Sequence, residues 1–152
     1  MSGTCLTVIA TDPYWQPGRQ AAEGAAAALA RMLPDDARRG LHTRWHDSVE
    51  VVDCGVNLEK ISCPQCGAQL AFDWWGEAVS QRYDEGFRTL TVTVPCCGVE
   101  TSLNELAYDW PMGFARFRLE ARHPNRARLT GEELAALTDA LGHPLRQILA
   151  RI

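Results

Sequence analysis

The chain has 152 residues, of which 46% are hydrophobic and 22% charged, and its formal net charge is −4. This composition is typical of a globular protein of one domain or two small ones, and it excludes a protein that is intrinsically disordered. No apolar run approaches the roughly 18 to 20 residues that a membrane span requires, and the start of the sequence lacks a signal-peptide pattern. We therefore expect a cytoplasmic protein with no membrane association.

Charge is distributed unevenly along the sequence. Residues 1–110 carry 8 Lys and Arg against 15 Asp and Glu, whereas residues 111–152 carry 7 against 4. A general nucleic-acid-binding protein is expected to be basic over a whole face, so the composition leaves only a local basic patch for that role. Arginine is used almost to the exclusion of lysine, which occurs only at Lys60, and alanine is frequent. This usage suggests a GC-rich coding sequence and a bacterial source.

The N-terminal part of the sequence predicts a β-α-β section. The run Thr4–Thr11 is short, β-branched and mostly apolar, which indicates a strand. Residues Arg19–Met32 are rich in Ala and Leu and predict a helix that ends before Pro34. A second strand is predicted within Leu41–Cys54, and a short extended run follows at Leu58–Ser62.

The middle of the sequence predicts a helix and a strand between two cysteine-rich turns. Asp73 is positioned to cap a helix that spans Trp74 to about Tyr83. Residues Arg88–Val94 alternate between apolar and polar side chains, which indicates a half-buried strand. Ser102 and Glu105 have the spacing of a capping box and predict a short helical turn.

The C-terminal part predicts one strand and two helices. Apolar and charged residues alternate along Gly113–Arg122, as expected for a strand. Thr130 and Glu133 form a second capping-box pattern, which predicts a helix that Gly142 ends. Pro144 then predicts the start of a terminal helix. The apolar residues of that last helix are Leu145, Ile148, Leu149 and Ile152.

The most specific signal is a pair of cysteine-rich turns, Cys63-Pro64-Gln65-Cys66-Gly67 and Pro95-Cys96-Cys97-Gly98. In a reducing compartment, cysteines serve more often as metal ligands, redox groups or buried apolar residues than as disulfides. Zinc prefers four thiolate or imidazole ligands in a tetrahedron, and a C-x-x-C turn supplies two of them. The sequence therefore predicts a site for one zinc ion (Zn²⁺) whose thiol ligands are Cys63, Cys66, Cys96 and Cys97.

These turns resemble those of the zinc ribbon, a superfamily in which two C-P-x-C-G turns hold one structural zinc. The resemblance covers residues 60–100. Together with the later stretches Ser102–Leu106 and Pro111–Phe117, the whole pattern resembles a group of uncharacterised bacterial zinc-ribbon proteins. The resemblance implies a structural zinc ion but carries no function with it.

The second turn departs from the superfamily pattern, which leaves the fourth ligand open. Aligned as C-P-x-C-G, Val94 occupies the first ligand position and Cys96 the variable one. Either Cys96 and Cys97 both bind the metal, or Cys97 alone does and Cys54, a histidine or water completes the site. An open position is what distinguishes catalytic from structural zinc. The rival interpretation without metal is a pair of redox-active dithiols.

Two further features suggest surfaces for a macromolecular partner. A series of arginines follows one side of the predicted strand and the turn after it, and such a stripe suits either nucleic acid or an acidic protein. Trp74 and Trp75 cannot both point the same way on a helix, so one of them is a candidate hot spot for a protein partner. The arginines of the stripe are Arg116, Arg118, Arg122, Arg126 and Arg128.

We therefore predict an α+β fold, a small mixed α/β sandwich with a zinc-ribbon insertion. Residues 1–60 form the β-α-β section, residues 61–111 the zinc-ribbon module, and residues 112–152 a strand and helices that pack back on the first section as one compact domain. No last strand is evident that would complete a ferredoxin-like sheet.

The sequence favours a non-catalytic zinc-binding adaptor that recognises a protein. A protein that binds RNA or DNA through the arginine stripe is the alternative, and an enzyme with an open zinc position ranks third. No nucleophile with a neighbouring base and no small-molecule substrate site is evident, so the sequence offers no positive case for catalysis.

Overall fold

The computed structural model describes residues 3–151 and shows a mixed α/β fold, as the sequence predicts. No helix in this range has the length and apolar character to cross a membrane. Two short 3₁₀ helices lie at Asp35–Gly40 and Leu103–Glu105. In chain order, the other elements are β1 (Thr4–Ala10), α1 (Arg19–Met32), β2 (Leu41–Val52), β3 (Ile61–Ser62), β4 (Gln69–Leu70), α2 (Phe72–Asp84), β5 (Thr91–Thr93), β6 (Glu100–Ser102), β7 (Ala107–Tyr108), β8 (Gly113–Arg122), α3 (Gly131–Leu141) and β9 (Leu145–Arg151).

The central sheet has four antiparallel strands in the spatial order β2-β8-β1-β9. With α1 after β1 and α3 after β8, this is the β-α-β-β-α-β arrangement of ferredoxin-like folds. Helices α1 and α3 cover one face of the sheet, where Leu29 and Leu137 pack against Phe117 and Leu119 of β8. Phe117 and Leu119 are buried on this face because alternate residues of a strand point the same way, and Leu29 and Leu137 are buried because they face the sheet from the helices.

The terminal helix predicted after Pro144 is wrong, because this segment forms strand β9. Residues Leu145–Arg151 pair with β1 along its whole length, so a last strand does complete the ferredoxin-like sheet. The spacing of apolar residues imitates a helix because both faces of β9 are covered. Leu145 and Leu149 pack with the two helices, whereas Ile148 is buried on the opposite face. Ile152 lies outside the described residues.

The bounds of α1 and β8 agree with the prediction, and so does the Thr130–Glu133 capping box at the start of α3. Helix α2 instead begins at Phe72, with Ala71 as its N-cap, so the predicted cap at Asp73 is wrong. Asp73 lies in the first turn of the helix, where its charge complements the helix dipole. The Ser102 hydroxyl accepts a hydrogen bond from the amide two residues ahead, rather than forming the predicted capping box with Glu105.

A long insertion between β2 and β8 packs against the sheet face opposite the helices. It contains the three-stranded sheet β4-β3-β7, the hairpin β5-β6 and helix α2. Its apolar residues form one buried cluster with Ile9, Phe114 and Ile148 of the central sheet. Buried Asn104 joins the two parts, since its side-chain amide donates to the Thr11 carbonyl (3.0 Å) and its oxygen accepts from the Phe114 amide (3.1 Å).

We name residues 51–56 the strap. They comprise the last two residues of β2 and the four residues that follow it. Pairing of β2 with β8 is irregular between Trp45 and Glu50, and resumes at the end of β2. The strap then reaches β9 at the other edge of the sheet, where Gly55 forms a parallel bridge with Arg151. The Val56 amide donates to the Arg151 carbonyl (3.0 Å). The strap therefore crosses the sheet on the face that α1 and α3 leave free.

Candidate metal centre

The first cysteine-rich turn connects β3 to β4 as a tight reversal. The Cys63 amide donates to the Ala68 carbonyl (2.8 Å), and the Gly67 amide donates to the Cys63 carbonyl (3.0 Å). Gly67 has φ of 78°, a left-handed conformation that favours glycine. The turn therefore holds Cys63 and Cys66 on the same side of a rigid backbone loop.

The second turn, between β5 and β6, repeats this backbone pattern. The Val94 amide donates to the Val99 carbonyl (3.0 Å), and the Gly98 amide donates to the Val94 carbonyl (3.0 Å). Gly98 has φ of 72°, in agreement with Gly67 of the first turn. Val94 therefore corresponds to the first cysteine of the other turn, and Cys96 to its variable residue.

The two turns bring four thiols together. The Sγ atoms of Cys63, Cys66, Cys96 and Cys97 all lie within 4.8 Å of one another, and none of these residues forms a disulfide. The Cys63 and Cys97 sulfurs are 3.8 Å apart, and those of Cys66 and Cys96 are 3.4 Å apart. Ligands about 2.3 Å from a tetrahedral zinc ion lie about 3.8 Å from one another. The spacing and chemistry of this donor set therefore fit a tetrahedral metal ion.

Two backbone amides favour the thiolate form of Cys63. Its Sγ accepts hydrogen bonds from the amides of Cys66 (3.5 Å) and Gln65 (3.4 Å). These bonds, that of Cys66 above all, lower the pKa of the Cys63 thiol from 9.0 to about 6. The thiolate is the form that ligates metals. Desolvation and a hydrogen bond to Cys66 raise the pKa of Cys96 to about 12, so a metal ion has to displace that proton.

The two remaining cysteines lie outside this cluster. Cys54 is fully buried and its thiol lies 3.8 Å from the Trp110 carbonyl oxygen, with a pKa raised by burial. Cys5 is buried in β1, where its sulfur contacts the Thr7 hydroxyl at 3.7 Å. Of the two cysteines considered for the fourth position, Cys96 is the one that joins the other three thiols.

The tryptophans of α2 pack inward more than the sequence suggests. Trp74 and Trp75 are both half-buried against the apolar cluster of the insertion, and the Trp75 indole donates to the Tyr108 hydroxyl (3.1 Å). The exposed aromatic residues of this helix are Phe72 and Tyr83, at 44% and 69% exposure. Their spacing of eleven residues, about three helical turns, is the sequence signal that places both on one side of the helix, about 16 Å apart along its axis.

Three carboxylates share the outward side of α2 with these aromatic rings. Asp73, Glu77 and Asp84 are exposed and form no ion pair within residues 3–151. The single basic residue of α2, Arg82, pairs with Glu85 at 3.2 Å. We name this acidic and aromatic surface the α2 face; its members are Phe72, Asp73, Glu77, Tyr83 and Asp84.

The arginine stripe is largely engaged in internal contacts. Arg122 Nε donates to Glu120 Oε1 (2.7 Å), and Arg118 Nη1 lies 3.8 Å from the other oxygen of the same carboxylate. Arg126 donates two hydrogen bonds to Glu133, at 2.6 and 2.8 Å. The guanidinium carbon of Arg128 lies 4.8 Å from the centre of the Trp110 ring.

Arg116 is the exception in the stripe. It lines a cleft of about 980 Å³ beside Asp47 and Arg88, and its Nε is buried without a hydrogen-bond partner in the described part of the chain. A continuous row of uncompensated positive charge, as a nucleic-acid backbone requires, is therefore not formed by these arginines.

Comparisons with protein-family models, with curated proteins and with solved structures found no match. The four-thiol cluster and the α2 face are therefore the features from which a function is inferred.

Proposed function

We propose that the protein is a non-catalytic zinc-binding adaptor of the zinc-ribbon type that recognises another protein. The observation that carries this proposal is the tetrahedral spacing of four thiols on two matching turns. An all-sulfur tetrahedral donor set selects zinc or iron among the common metals. The zinc ion would be held by Cys63, Cys66, Cys96 and Cys97, and it would supply structural stability rather than a reactive group.

A structural role follows from the number of ligands. Catalytic zinc sites keep three protein ligands and leave the fourth position to water or substrate. Here four thiols lie close enough together to occupy all four coordination positions of one metal ion, which favours a site with no open position. Cys66, Cys96 and Cys97 are exposed, so little apolar packing holds the tips of the turns. Metal–sulfur bonds would therefore replace the apolar core that the turns lack.

The metal would position α2, because this helix lies in the chain between the two turns. The α2 face carries three unpaired carboxylates and two exposed aromatic rings, a combination suited to a partner with basic residues around an apolar patch. The same charge repels the phosphates of RNA and DNA. A protein partner is thus favoured over nucleic acid.

Metal content per chain, measured by elemental analysis on protein without a histidine tag, tests the zinc proposal. We expect one zinc per chain in the wild type and in Cys54→Ala, and less than one in Cys96→Ser and Cys97→Ser. Iron in place of zinc would overturn the assignment of the metal. Full zinc retention in Cys96→Ser would overturn the closed site and favour an open coordination position.

A comparison of affinity capture from cell extract by charge variants tests the role of the α2 face. Asp73→Lys combined with Glu77→Lys reverses two charges of this surface, whereas Glu23→Lys reverses one charge on the exposed side of α1. We expect a protein that is captured by the wild type and by Glu23→Lys to be lost with the double variant. Equal capture by all three proteins would exclude this surface as the docking site.

A further inference from the structure

A cavity of about 430 Å³ lies between the strap and the face of the central sheet that α1 and α3 leave free. Its floor contains Thr7 of β1 and Glu120 of β8, which are paired neighbours in the sheet. Val51 and Val52 of the strap and Ala150 of β9 provide apolar walls. The volume falls within the range of roughly 300–1,000 Å³ of small-molecule sites.

A buried carboxylate, that of Glu120, lines this cavity. The Glu120 side chain is 6% exposed, and it accepts a hydrogen bond from Arg122 Nε at 2.7 Å. Burial alone would raise its pKa, but the hydrogen bond from Arg122 and the charges of Arg122 and Arg118 bring the pKa below its ordinary value. Glu120 is therefore ionised at neutral pH, and it remains able to accept a hydrogen bond from a ligand.

The two arginines of the cavity retain unused donors. Arg118 Nε is buried and has no acceptor within residues 3–151, while its terminal nitrogens lie 3.6 Å from Glu50, 3.5 Å from the Val51 carbonyl and 3.8 Å from Glu120. Arg122, which also lines the cavity, uses only its Nε in hydrogen bonds to these residues, and its side chain is 56% exposed. Arg118 Nε has almost no accessible surface, so the guanidinium donors open to a ligand are the terminal nitrogens of Arg122 and the partly exposed end of Arg118.

The charges around the cavity restrict the class of ligand. Arg118 and Arg122 balance Glu120 and Asp53, so the charged side chains of the lining sum to zero. A simple anion would approach the buried Glu120 carboxylate, and a simple cation would approach two guanidinium groups. A molecule with one carboxylate and one ammonium group meets both signs favourably.

We propose that this cavity binds a small free amino acid with an apolar side chain. Its carboxylate would pair with Arg118 and Arg122, its ammonium group with Glu120, and its side chain would contact Val51, Val52 and Ala150. This proposal is independent of the metal centre, because none of these residues belongs to the cysteine turns.

Titration of ¹⁵N-labelled protein with L-valine, followed by amide NMR shifts, tests the proposal. We expect saturable shifts at Thr7, Gly55 and Ala150, with a dissociation constant of about 1 mM or below for a ligand of this size. Isovalerate lacks the ammonium group and isobutylammonium lacks the carboxylate, and each should bind at least about tenfold more weakly, the effect of losing one charged hydrogen bond. Equal binding of isovalerate would indicate a simple anion site and overturn the proposal.

A variant that fills the cavity without altering its charges locates the binding. Ala150→Leu places a larger apolar group in the cavity, and Ala135→Leu makes the same change on the exposed side of α3. We expect L-valine binding to weaken at least tenfold in the first variant and to stay unchanged in the second. No saturable shift with wild-type protein, or equal binding by Ala150→Leu, would also overturn the proposal.

Discussion

Val94 occupies in the second cysteine turn the position that Cys63 occupies in the first. The two backbones form the same pair of hydrogen bonds, and both side chains are buried, at 0% and 2% exposure. At this ligand position the second turn has an apolar residue, and the thiol comes from Cys96, which corresponds to Gln65. Cys96 therefore supplies the fourth thiol from a position two residues after Val94, while the backbone of the second turn keeps the hydrogen bonds of the first.

This correspondence predicts that a regular turn can restore metal binding. Cys96→Gln should weaken zinc binding at least about tenfold, because one of four ligands is lost. Adding Val94→Cys places a thiol at the position equivalent to Cys63 and should recover most of the affinity. Competition with a chromophoric chelator measures both values. Wild-type affinity in Cys96→Gln, or no recovery in the double variant, would contradict the equivalence of the two turns.

Asn104 joins the insertion to the central sheet, and its removal should destabilise the whole protein. Asn104→Ala leaves the Thr11 carbonyl and the buried Phe114 amide without partners, at a cost of about 2–4 kcal/mol in the free energy of unfolding. Asn104→Asp keeps the acceptor for Phe114 and should have a smaller effect. Urea unfolding measures both, and a loss below about 0.5 kcal/mol in the alanine variant would show that water satisfies these groups.

The Arg126–Glu133 pair should make stability depend on pH in the acidic range. Hydrogen bonds from Arg126 and from the Thr130 amide lower the pKa of Glu133 from 4.5 to about 2. Because the folded-state pKa is the lower one, the stabilisation is present above about pH 4.5 and is lost as the pH falls toward 2.

Glu133→Gln should therefore lower stability by about 1–2 kcal/mol at pH 7, equivalent to about 3–6 °C in Tm, and by less at pH 3. The neighbouring Glu132→Gln is the matched control, since Glu132 is exposed and has no ion pair in the described range. Thermal unfolding at several pH values measures the difference. An effect of Glu133→Gln that stays constant from pH 7 to pH 3 would rule out this linkage.

The internal pairing of the arginine stripe predicts weak binding to nucleic acid. At low salt, fluorescence anisotropy with mixed-sequence RNA and DNA should show no binding at micromolar protein concentration, because most of the stripe is paired: Glu120 contacts Arg118 and Arg122, and Glu133 contacts Arg126. Salt-sensitive binding that disappears on replacing Arg116, Arg118 and Arg122 by alanine would instead support the nucleic-acid alternative.

Gly55 should be intolerant of any side chain. It has φ of 63°, and an added Cβ would lie 2.0 Å from the Arg151 carbonyl oxygen, so the strap would have to leave β9. We expect Gly55→Ala to cost about 2–4 kcal/mol. Gly131→Ala is the control, because a Cβ there meets no atom within 4 Å and the position begins α3. Chemical unfolding of both variants checks this, and similar stabilities would contradict it.

Whether a strand can be recognised from the sequence depends on whether one or both of its faces are buried. Segment Gly113–Arg122 presents one apolar and one charged series, so its alternation and bounds were evident. Strand β9 is covered on both faces, and this removes the alternation by which a strand is recognised. The helices and the insertion that cover the two faces of β9 include segments far from it in sequence, so the sequence of β9 itself does not show that both faces are buried.

The candidate metal centre was predictable because its donors lie in two short motifs. The participation of Cys96 depended on the detailed turn geometry and stayed open at the level of sequence. The cavity on the sheet was not predictable, since Thr7 and Glu120 come together only through strand register. The strap that covers them is placed by the bridge between Gly55 and Arg151.

The position of the cysteine turns inside the insertion also affects how the chain folds. Strands β2 and β8 are adjacent in the sheet, yet Val52 and Gly113 are separated by the whole insertion. Cys63 and Cys97 are 34 residues apart in sequence, and a metal held between them would shorten the path between the two strands by about half. Each halving of a loop lowers its closure cost by roughly 0.6 kcal/mol, which corresponds to about a threefold faster search. A metal bound before the sheet forms would thus act on the rate of folding, by aligning the two strands that the insertion keeps apart.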